Sequence, residues 1–393
     1  MKINLKFHIT QELQHLLDVL EKHEASPRFV GGIVRDSIIG FTSADIDIAT
    51  RLHPTEIMAI LSANKIRYVD TGSKYGTITA LVGYDKAEIT TLRIDTECNG
   101  RHTNPIFTDD FEIDALRRDF TINAMSYCPF LNALYDYTGG YEDLLARKVR
   151  FIGAPKKRIE EDHLRILRFF RFSDRFAEIL DKESLYACID LRHLLHKISK
   201  ERILMEMNKI IASPTAHKIL KYMIDSQIMA EIMPEAIYDL DLLEELKDSV
   251  TLKYAALLWK TKIEILRKLL LGLRFSKSDN NEIINLVLFK QNNPDLSKVN
   301  MVELKNIFYP LWVANIKLAP YISISGVNKN KSFNELMQLI DNTPPKFSLN
   351  GEDLISMGVE GKNIGVTLDR LKSQWIKSEF TLSNKELLDS VIQ

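Results

Sequence analysis

A chain of 393 residues, 45% hydrophobic and 27% charged, carries enough apolar side chains for two or more cores and is too rich in them for a disordered tail. Its formal net charge of −1 excludes a protein that coats nucleic acid by charge alone, although residues 144–210 hold 16 Lys and Arg against 10 Asp and Glu. No run reaches the ~18 consecutive apolar residues of a membrane span, and Met1-Lys2-Ile3-Asn4-Leu5-Lys6 lacks the apolar core of a secretory signal, so a cytoplasmic protein is expected.

Residues 1–145 alternate short β-rich and helical runs, the pattern of a small α/β or α+β domain. Thr10 is placed to cap a helix from Gln11. A strand is predicted at 28–30, a helix at 33–39, a strand at 45–49 and a helix at 55–62 opened by Pro54. Three runs rich in Thr, Ile and Val, 66–70, 76–82 and 87–92, are expected to pair in one sheet. The polar stretch 93–112 reads as a long mobile loop, followed by a helix over 114–125, a β-like tail to Asp136 and a turn at Tyr137-Thr138-Gly139-Gly140. Beyond Leu144 the apolar spacing is helical, with Leu164, Leu167 and Phe170, then Ile203, Met207 and Ile210, as examples. Joints are expected near Ser213-Pro214, Asn293-Pro294 and Asn342-Thr343-Pro344-Pro345. Cys98, Cys128 and Cys188 show no Cys-x-x-Cys spacing, so neither a disulfide framework nor a zinc site is suggested.

Four segments carry chemistry. In Gly31-Gly32-Ile33-Val34-Arg35-Asp36 the glycines let backbone approach a ligand, and helix-end N–H groups with a guanidinium suit phosphate oxygens. In Asp45-Ile46-Asp47 the two carboxylates, at i and i+2 of a strand, share a face roughly 6–7 Å apart and suit a hard divalent cation. Each segment alone also reads as an ordinary turn or a solvated strand end. Glu88 is the best third carboxylate on a neighbouring strand; a solvent-facing strand residue is its other reading. In Arg117-Arg118-Asp119-Phe120-Thr121-Ile122-Asn123-Ala124-Met125 the arginines suit phosphate, while Asp119 and Asn123 can bond ribose hydroxyls.

The fourth segment runs from Arg158 through Glu160-Glu161-Asp162-His163-Leu164-Arg165 to Arg168 and Phe172. On one helix Asp162 and Arg165 would be i, i+3 neighbours on one face, with Glu161 and Arg168 at its edges. A carboxylate accepts from the exocyclic amine of cytosine or adenine and a guanidinium donates to the adjoining acceptor, whereas uracil and guanine present the wrong pattern. A surface ion pair is the alternative.

Arg28-Phe29-Val30-Gly31-Gly32-Ile33-Val34-Arg35-Asp36, with Asp45-Ile46-Asp47-Ile48-Ala49-Thr50 behind it, closely resembles the head-domain signature of the class II tRNA nucleotidyltransferase and bacterial poly(A) polymerase family. Glu88-Ile89-Thr90-Thr91-Leu92-Arg93, the 117–125 segment, Gly139-Gly140-Tyr141-Glu142-Asp143-Leu144, the 158–172 segment and 198–206 resemble its further signatures. Pro345 to Leu354 and Gly361 to Gly365 are similar to the tail that meets the tRNA elbow. The resemblance implies an α+β, polymerase-β-like nucleotidyltransferase head (1–145), then all-α neck (146–210), body (211–330) and tail (331–393). It implies catalytic Asp45, Asp47 and Glu88, with Mg2+ on Asp45 and Asp47. Gly31, Gly32, Arg35, Arg118, Asp119, Asn123, Glu161, Asp162, Arg165 and Arg168 would bind nucleotide, and the partners would be tRNA, CTP and ATP.

Three activities share these signatures: CCA addition, CC-only or A-only addition, and polyadenylation. Thr71-Gly72-Ser73-Lys74-Tyr75-Gly76-Thr77-Ile78-Thr79 resembles the tRNA enzymes, and a full-length 93–112 loop, with Asp95, Glu97 and Arg101 as a lever on the templating helix, favours CCA addition. A catalytically silent RNA-binding protein of the same fold is the reading from another class.

Overall fold

The computed structural model describes residues 1–393 except 24–25, 43–44, 95–104, 247–248, 314–318, 326, 328–330, 332, 341–344, 362, 379 and 393. Its contacts divide the chain into two units, Met1–Pro234 and Glu235–Gln393. The head and neck ranges read from the sequence therefore fall in one unit.

The first unit opens with α1 (Gln11–Glu21), capped by Thr10, whose hydroxyl accepts from the Leu13 amide at 3.2 Å. Then follow β1 (Arg28–Val30), α2 (Gly32–Ile38), β2 (Ile46–Thr50), α3 (Pro54–Ala63), β3 (Tyr68–Gly72), β4 (Thr77–Val82) and β5 (Asp85–Thr91). β6 (Arg93–Ile94), β7 (Ile106–Phe107), α4 (Phe111–Leu116), β8 (Ser126–Cys128) and β9 (Ala133–Tyr135) complete the α+β head. Seven strands form one mixed sheet in the order β3-β4-β5-β2-β1-β8-β9, in which β2 and β5 run parallel. The three Thr, Ile and Val runs do share this sheet. The stretch 93–112 expected as a loop contains β6 and β7, which pair antiparallel, and the start of α4; Asp95, Glu97 and Arg101 lie outside the described residues.

The helix expected over 114–125 stops at Leu116. Buried Asp114 draws back both Arg117, at 2.6 Å, and Arg118, at 3.1 Å, and Phe120 leaves the helical path to form a β-bridge with Phe151. A single 3-10 turn, Thr121–Asn123, then leads into β8. Against this turn lies α5 (Gly140–Leu145), so close that a Cβ on Gly140 would stand 2.1 Å from the Thr121 carbonyl oxygen. The Asp143 carboxylate accepts from Thr121 Oγ1 at 2.6 Å and Arg150 Nε at 2.7 Å, joining the same two segments.

The helices that follow in the first unit are α6 (Pro155–Glu161), α7 (Arg165–Phe176), α8 (Lys182–Asp190) and α9 (Lys200–Ala212), which occupy the range read as the neck, and then α10 (Ala216–Asp225) and α11 (Ile228–Ile232). α7 buries Ile166, Leu167, Phe169 and Phe170, and α9 buries Ile203, Met207 and Ile210, as the helical spacing predicts. Phe120 of the head packs 4.8 Å from Phe151 and 5.5 Å from Phe172 of α7, so head and neck share an aromatic core.

The second unit is helical: α12 (Asp241–Glu245), α13 (Val250–Leu258), α14 (Ile263–Gly272), α15 (Lys277–Asn292), α16 (Met301–Val313), α17 (Ala319–Ser325), α18 (Phe333–Ile340), α19 (Gly351–Ser356), α20 (Asn363–Lys377) and α21 (Asn384–Ile392). Tyr309, Leu354, Leu371, Trp375 and Leu387 form one of its cores. Asn350 and Asp353 cap α19 reciprocally. Among the described residues, no helix is long and apolar enough to cross a membrane.

Candidate active site

The parallel register of β2 and β5 sets Asp47 directly opposite Glu88, with Asp45 one residue before β2. Burial, then the Glu88 carboxylate, push the Asp47 carboxyl up to about 6; Arg118 opposes the shift and Asp45 adds to it. Carboxylates gathered at such an electrostatic cost fit a hard cation, which would relieve the repulsion. Among the described residues no group of three His, Cys, Asp or Glu forms a closed metal cage, so an ion on Asp45 and Asp47 would take its remaining ligands from water and substrate oxygens. Glu88 is exposed and stands beside Asp47 on the next strand, outside the cleft lining.

Gly31 has φ +71°, in the left-handed region, and a Cβ there would lie 3.4 Å from Arg118 Nη1 and 3.9 Å from Asp47 Oδ2. The glycine thus lets the turn pass beside the carboxylates. Its N–H, however, donates to the Met125 carbonyl at 3.3 Å and is used by the fold. Arg35 also differs from the expected phosphate ligand: it is buried, with Nε on Asp36 Oδ1 at 2.8 Å and Nη1 on Asn123 Oδ1 at 2.6 Å, over the Phe176 ring.

Residues 158–172 do not form one helix. α6 ends at Glu161, Asp162 is extended (φ −148°, ψ 105°), and α7 starts at Arg165. Asp162 Oδ2 accepts from Arg202 Nη2 of α9 at 2.8 Å and Oδ1 from the Leu164 amide at 3.2 Å. Arg165 is buried and donates to Glu161 Oε2 at 2.7 Å and to the carbonyls of Arg158 and Arg117 at 2.9 and 3.0 Å. Asp162 and Arg165 therefore face one cleft but are not an ion pair; Glu161 holds Arg165 from behind and is not part of the lining.

Asp119 and Asn123 are tied into a network rather than left open for a ribose. Asp119 Oδ1 accepts from the Phe120 amide at 2.8 Å and Asn123 Nδ2 at 3.1 Å, and Oδ2 from Arg168 Nε at 2.6 Å. Burial opposes ionisation of Asp119, but the Arg168 charge and these hydrogen bonds outweigh it and hold the carboxyl below its ordinary value. Next along α7, Arg171 donates to both oxygens of Glu206, at 2.9 and 2.7 Å. Arg175 reaches Asp36 Oδ2 at 3.2 Å. Arg171 and Arg175 line the cleft, and Arg202 and Glu206 hold Asp162 and Arg171 from α9; the sequence reading gave none of the four a place in the site, though arginines at 165, 168, 171 and 175 carry a visible one-face spacing.

A cleft of about 1170 Å³ in the first unit brings Gly31, Gly32, Asp45, Asp47, Arg118, Asp119 and Asn123 together with Asp162, Arg165 and Arg168. Residues 27–150 match the family model of the Poly A polymerase head domain, and residues 179–240 match that of the probable RNA and SrmB- binding site of polymerase A. Across 97% of its length the chain is 34% identical to the CCA tRNA nucleotidyltransferase 1, mitochondrial, of Homo sapiens, and covers 90% of that protein.

The chain belongs to the CCA tRNA nucleotidyltransferase family.

The same alignment with the Mus musculus protein gives 32% identity over 97% of the chain and 90% of that protein. The fold matches the crystal structure of the Bacillus stearothermophilus CCA-adding enzyme in complex with CTP with a TM-score of 0.75 at 24% identity, covering 98% of each chain. In this CCA tRNA nucleotidyltransferase family member, the carboxylate strand and the 117–125 turn lie inside the matched head range. The break at Asp162 falls between the two matched ranges.

Proposed function

We propose that the chain adds CCA to the 3′ end of tRNA without a nucleic-acid template, using CTP and ATP and releasing pyrophosphate. The observation that carries this is one cleft holding the Asp45 and Asp47 carboxylates of the head and, across it, the Asp162 and Arg165 groups of the neck. The first set suits phosphoryl chemistry and the second suits base reading. The full-length relatives named CCA tRNA nucleotidyltransferase favour this product over polyadenylation.

The proposed reaction is in-line attack by the tRNA 3′ hydroxyl on the α-phosphorus, with pyrophosphate leaving. A divalent ion, which we take to be magnesium, would be held by Asp45 and Asp47 and supply charge stabilisation for the phosphoryl oxygens. Glu88 belongs to the same wall through its field on Asp47. Arg118, between Asp114 and the carboxylates, directs positive charge towards the phosphate end. Asp162, fixed by Arg202 and the Leu164 amide, has lone pairs left to accept from an exocyclic amine. Arg165, immobilised by three acceptors, keeps its Nε–H and one Nη2–H for the adjoining ring acceptor. The segment 93–104 would assist the switch from C to A, and the body and tail would measure the tRNA. The vertebrate relatives are named mitochondrial; for this chain we keep the cytoplasm as the proposed compartment.

The deciding experiment incubates the protein and magnesium with tRNA lacking its 3′ terminal CCA and each labelled nucleotide. Products extended by C, C and A in that order support the proposal; CC-only, A-only or long poly(A) products each replace it with the corresponding activity, and no product with any nucleotide overturns it.

A further inference from the structure

α7 and α9 run side by side in the same direction. Their cross-links climb in step: Asp162 with Arg202, Arg171 with Glu206, and Asp174 with Thr215 just past the end of α9. Along this ladder the positive charges are neutralised unequally. Arg165 is matched by Glu161, Arg168 by Asp119, and Arg171 by both oxygens of a Glu206 that is 1% exposed. Arg175 is different. Among the described residues its only ion pair is the 3.2 Å contact to Asp36, whose other oxygen is already taken by Arg35, and its side chain is 55% exposed.

One helical turn beyond Glu206 stands Lys209, on the cleft lining and without a side-chain hydrogen bond or ion pair among the described residues. The carboxylate in this corner, Asp174, has one oxygen held by the Thr215 hydroxyl at 2.9 Å. From Arg165 to Arg175 is ten residues of helix, about 15 Å of rise. The under-neutralised charge is therefore collected at the end of the cleft farthest from the base-reading break.

The cleft is also larger than the ~300–1,000 Å³ typical of a site for one small ligand. In the transfer reaction a nucleotide and an RNA end occupy it together.

We propose that Lys209 and Arg175 form a phosphate seat for the RNA strand, holding a backbone phosphate near the 3′ end of the acceptor while the nucleotide occupies the part of the cleft between Asp47 and Asp162. This rests on the tRNA nucleotidyl-transfer reading and adds to it a binding element on the neck. A phosphate at this point needs only positive charge and donors, so the seat is indifferent to the base it carries, as a strand that grows by one nucleotide per step requires.

The test uses the full chain. Lys209→Gln, Lys209→Glu and Lys209→Arg are compared with the parent for affinity towards tRNA lacking CCA, measured by fluorescence anisotropy without nucleotide over a range of salt. Affinity for CTP and inhibition by pyrophosphate are measured in parallel. Removing one phosphate contact should weaken tRNA binding roughly threefold to fivefold in Lys209→Gln, more in Lys209→Glu, and lower the slope of log affinity against log salt by about 0.7. Lys209→Arg should restore both, and CTP affinity and pyrophosphate inhibition should hold. If CTP affinity or pyrophosphate inhibition falls while tRNA binding is unmoved, the seat belongs to the nucleotide phosphates and the proposal fails. Unchanged salt slope and tRNA affinity in all three variants also overturn it. A protein that binds tRNA through Lys209 yet transfers no nucleotide would instead break the activity reading and leave the seat standing.

Discussion

The two walls of the cleft are built on opposite electrostatic plans. On the head side, Asp45 and Asp47 line the cleft with Glu88 beside Asp47 on the next strand, and burial, then the Glu88 charge, push the Asp47 carboxyl up to about 6. On the neck side, Arg165, Arg168 and Arg171 each meet a carboxylate at hydrogen-bonding distance, and Asp119 is held below its ordinary value. The head wall thus keeps an excess of negative charge that Arg118 only partly offsets at Asp47, while most of the neck wall is matched charge for charge. Removing a carboxylate should therefore have opposite consequences on the two sides: chemistry is lost on the first and architecture on the second.

The largest effect is expected at the head wall. Asp45→Ala and Asp47→Ala should each lower the nucleotide-transfer rate by about 10³-fold or more, because charge stabilisation at the phosphoryl oxygens is worth several kcal/mol. Their melting temperatures should stay at or above the parent's, and near-normal turnover in either variant would remove these residues from the site. At the neck wall, Glu206→Ala strands Arg171 in a largely buried position and should cost about 3 kcal/mol, read as a lowered denaturant midpoint. An unchanged midpoint would mean that the neck wall is not held by its pairs.

A smaller effect is expected at Asp162, the residue proposed to read the base. Asp162→Ala should reduce CTP-over-UTP selectivity by about 1–3 kcal/mol in competitive incorporation, with metal dependence retained. A uniform loss of rate with selectivity intact would place base reading elsewhere. The smallest is a pH effect. Asp114 and Asp119 have lowered carboxyls in the folded state, so the stability they add is complete above the ordinary carboxylate value and is lost as pH falls through the lowered one. Melting temperature should therefore decline below about pH 4, more shallowly in Asp119→Asn than in the parent; parallel curves would deny Asp119 that share.

The sheet and the carboxylate strand were legible because their signals are local. Alternating Thr, Ile and Val mark β4 and β5, and the Asp-x-Asp spacing places its carboxylates wherever the strand runs. Apolar spacing likewise revealed the buried faces of α7 and α9. What could not be read was where helices stop for non-local reasons. Nothing between Arg158 and Phe172 forbids a continuous helix; the chain opens at Asp162, whose carboxylate meets an arginine forty positions away. The 117–125 segment also kept its residue types but not its helix, because Asp114 gathers both arginines and Phe120 joins a core completed by Phe151 and Phe172. Asp119, Asn123 and Arg35, read from the sequence as nucleotide ligands, all line the cleft, yet their mutual hydrogen bonds depend on segments that meet only in space.

Gly140 lies outside the cleft lining, yet it sets a tolerance for it. A single methyl there would collide with the Thr121 carbonyl at 2.1 Å, and backbone rather than a flexible side chain would have to yield. Two residues beyond Thr121 is Asn123, whose amide joins Arg35 to Asp119. A displacement of about an ångström at the start of α5 would therefore be delivered to the centre of the site through one rigid turn. Gly140→Ala should resemble an active-site lesion in its kinetics while every cleft residue keeps its identity, so damage mapped by activity alone would point to the wrong place in the chain.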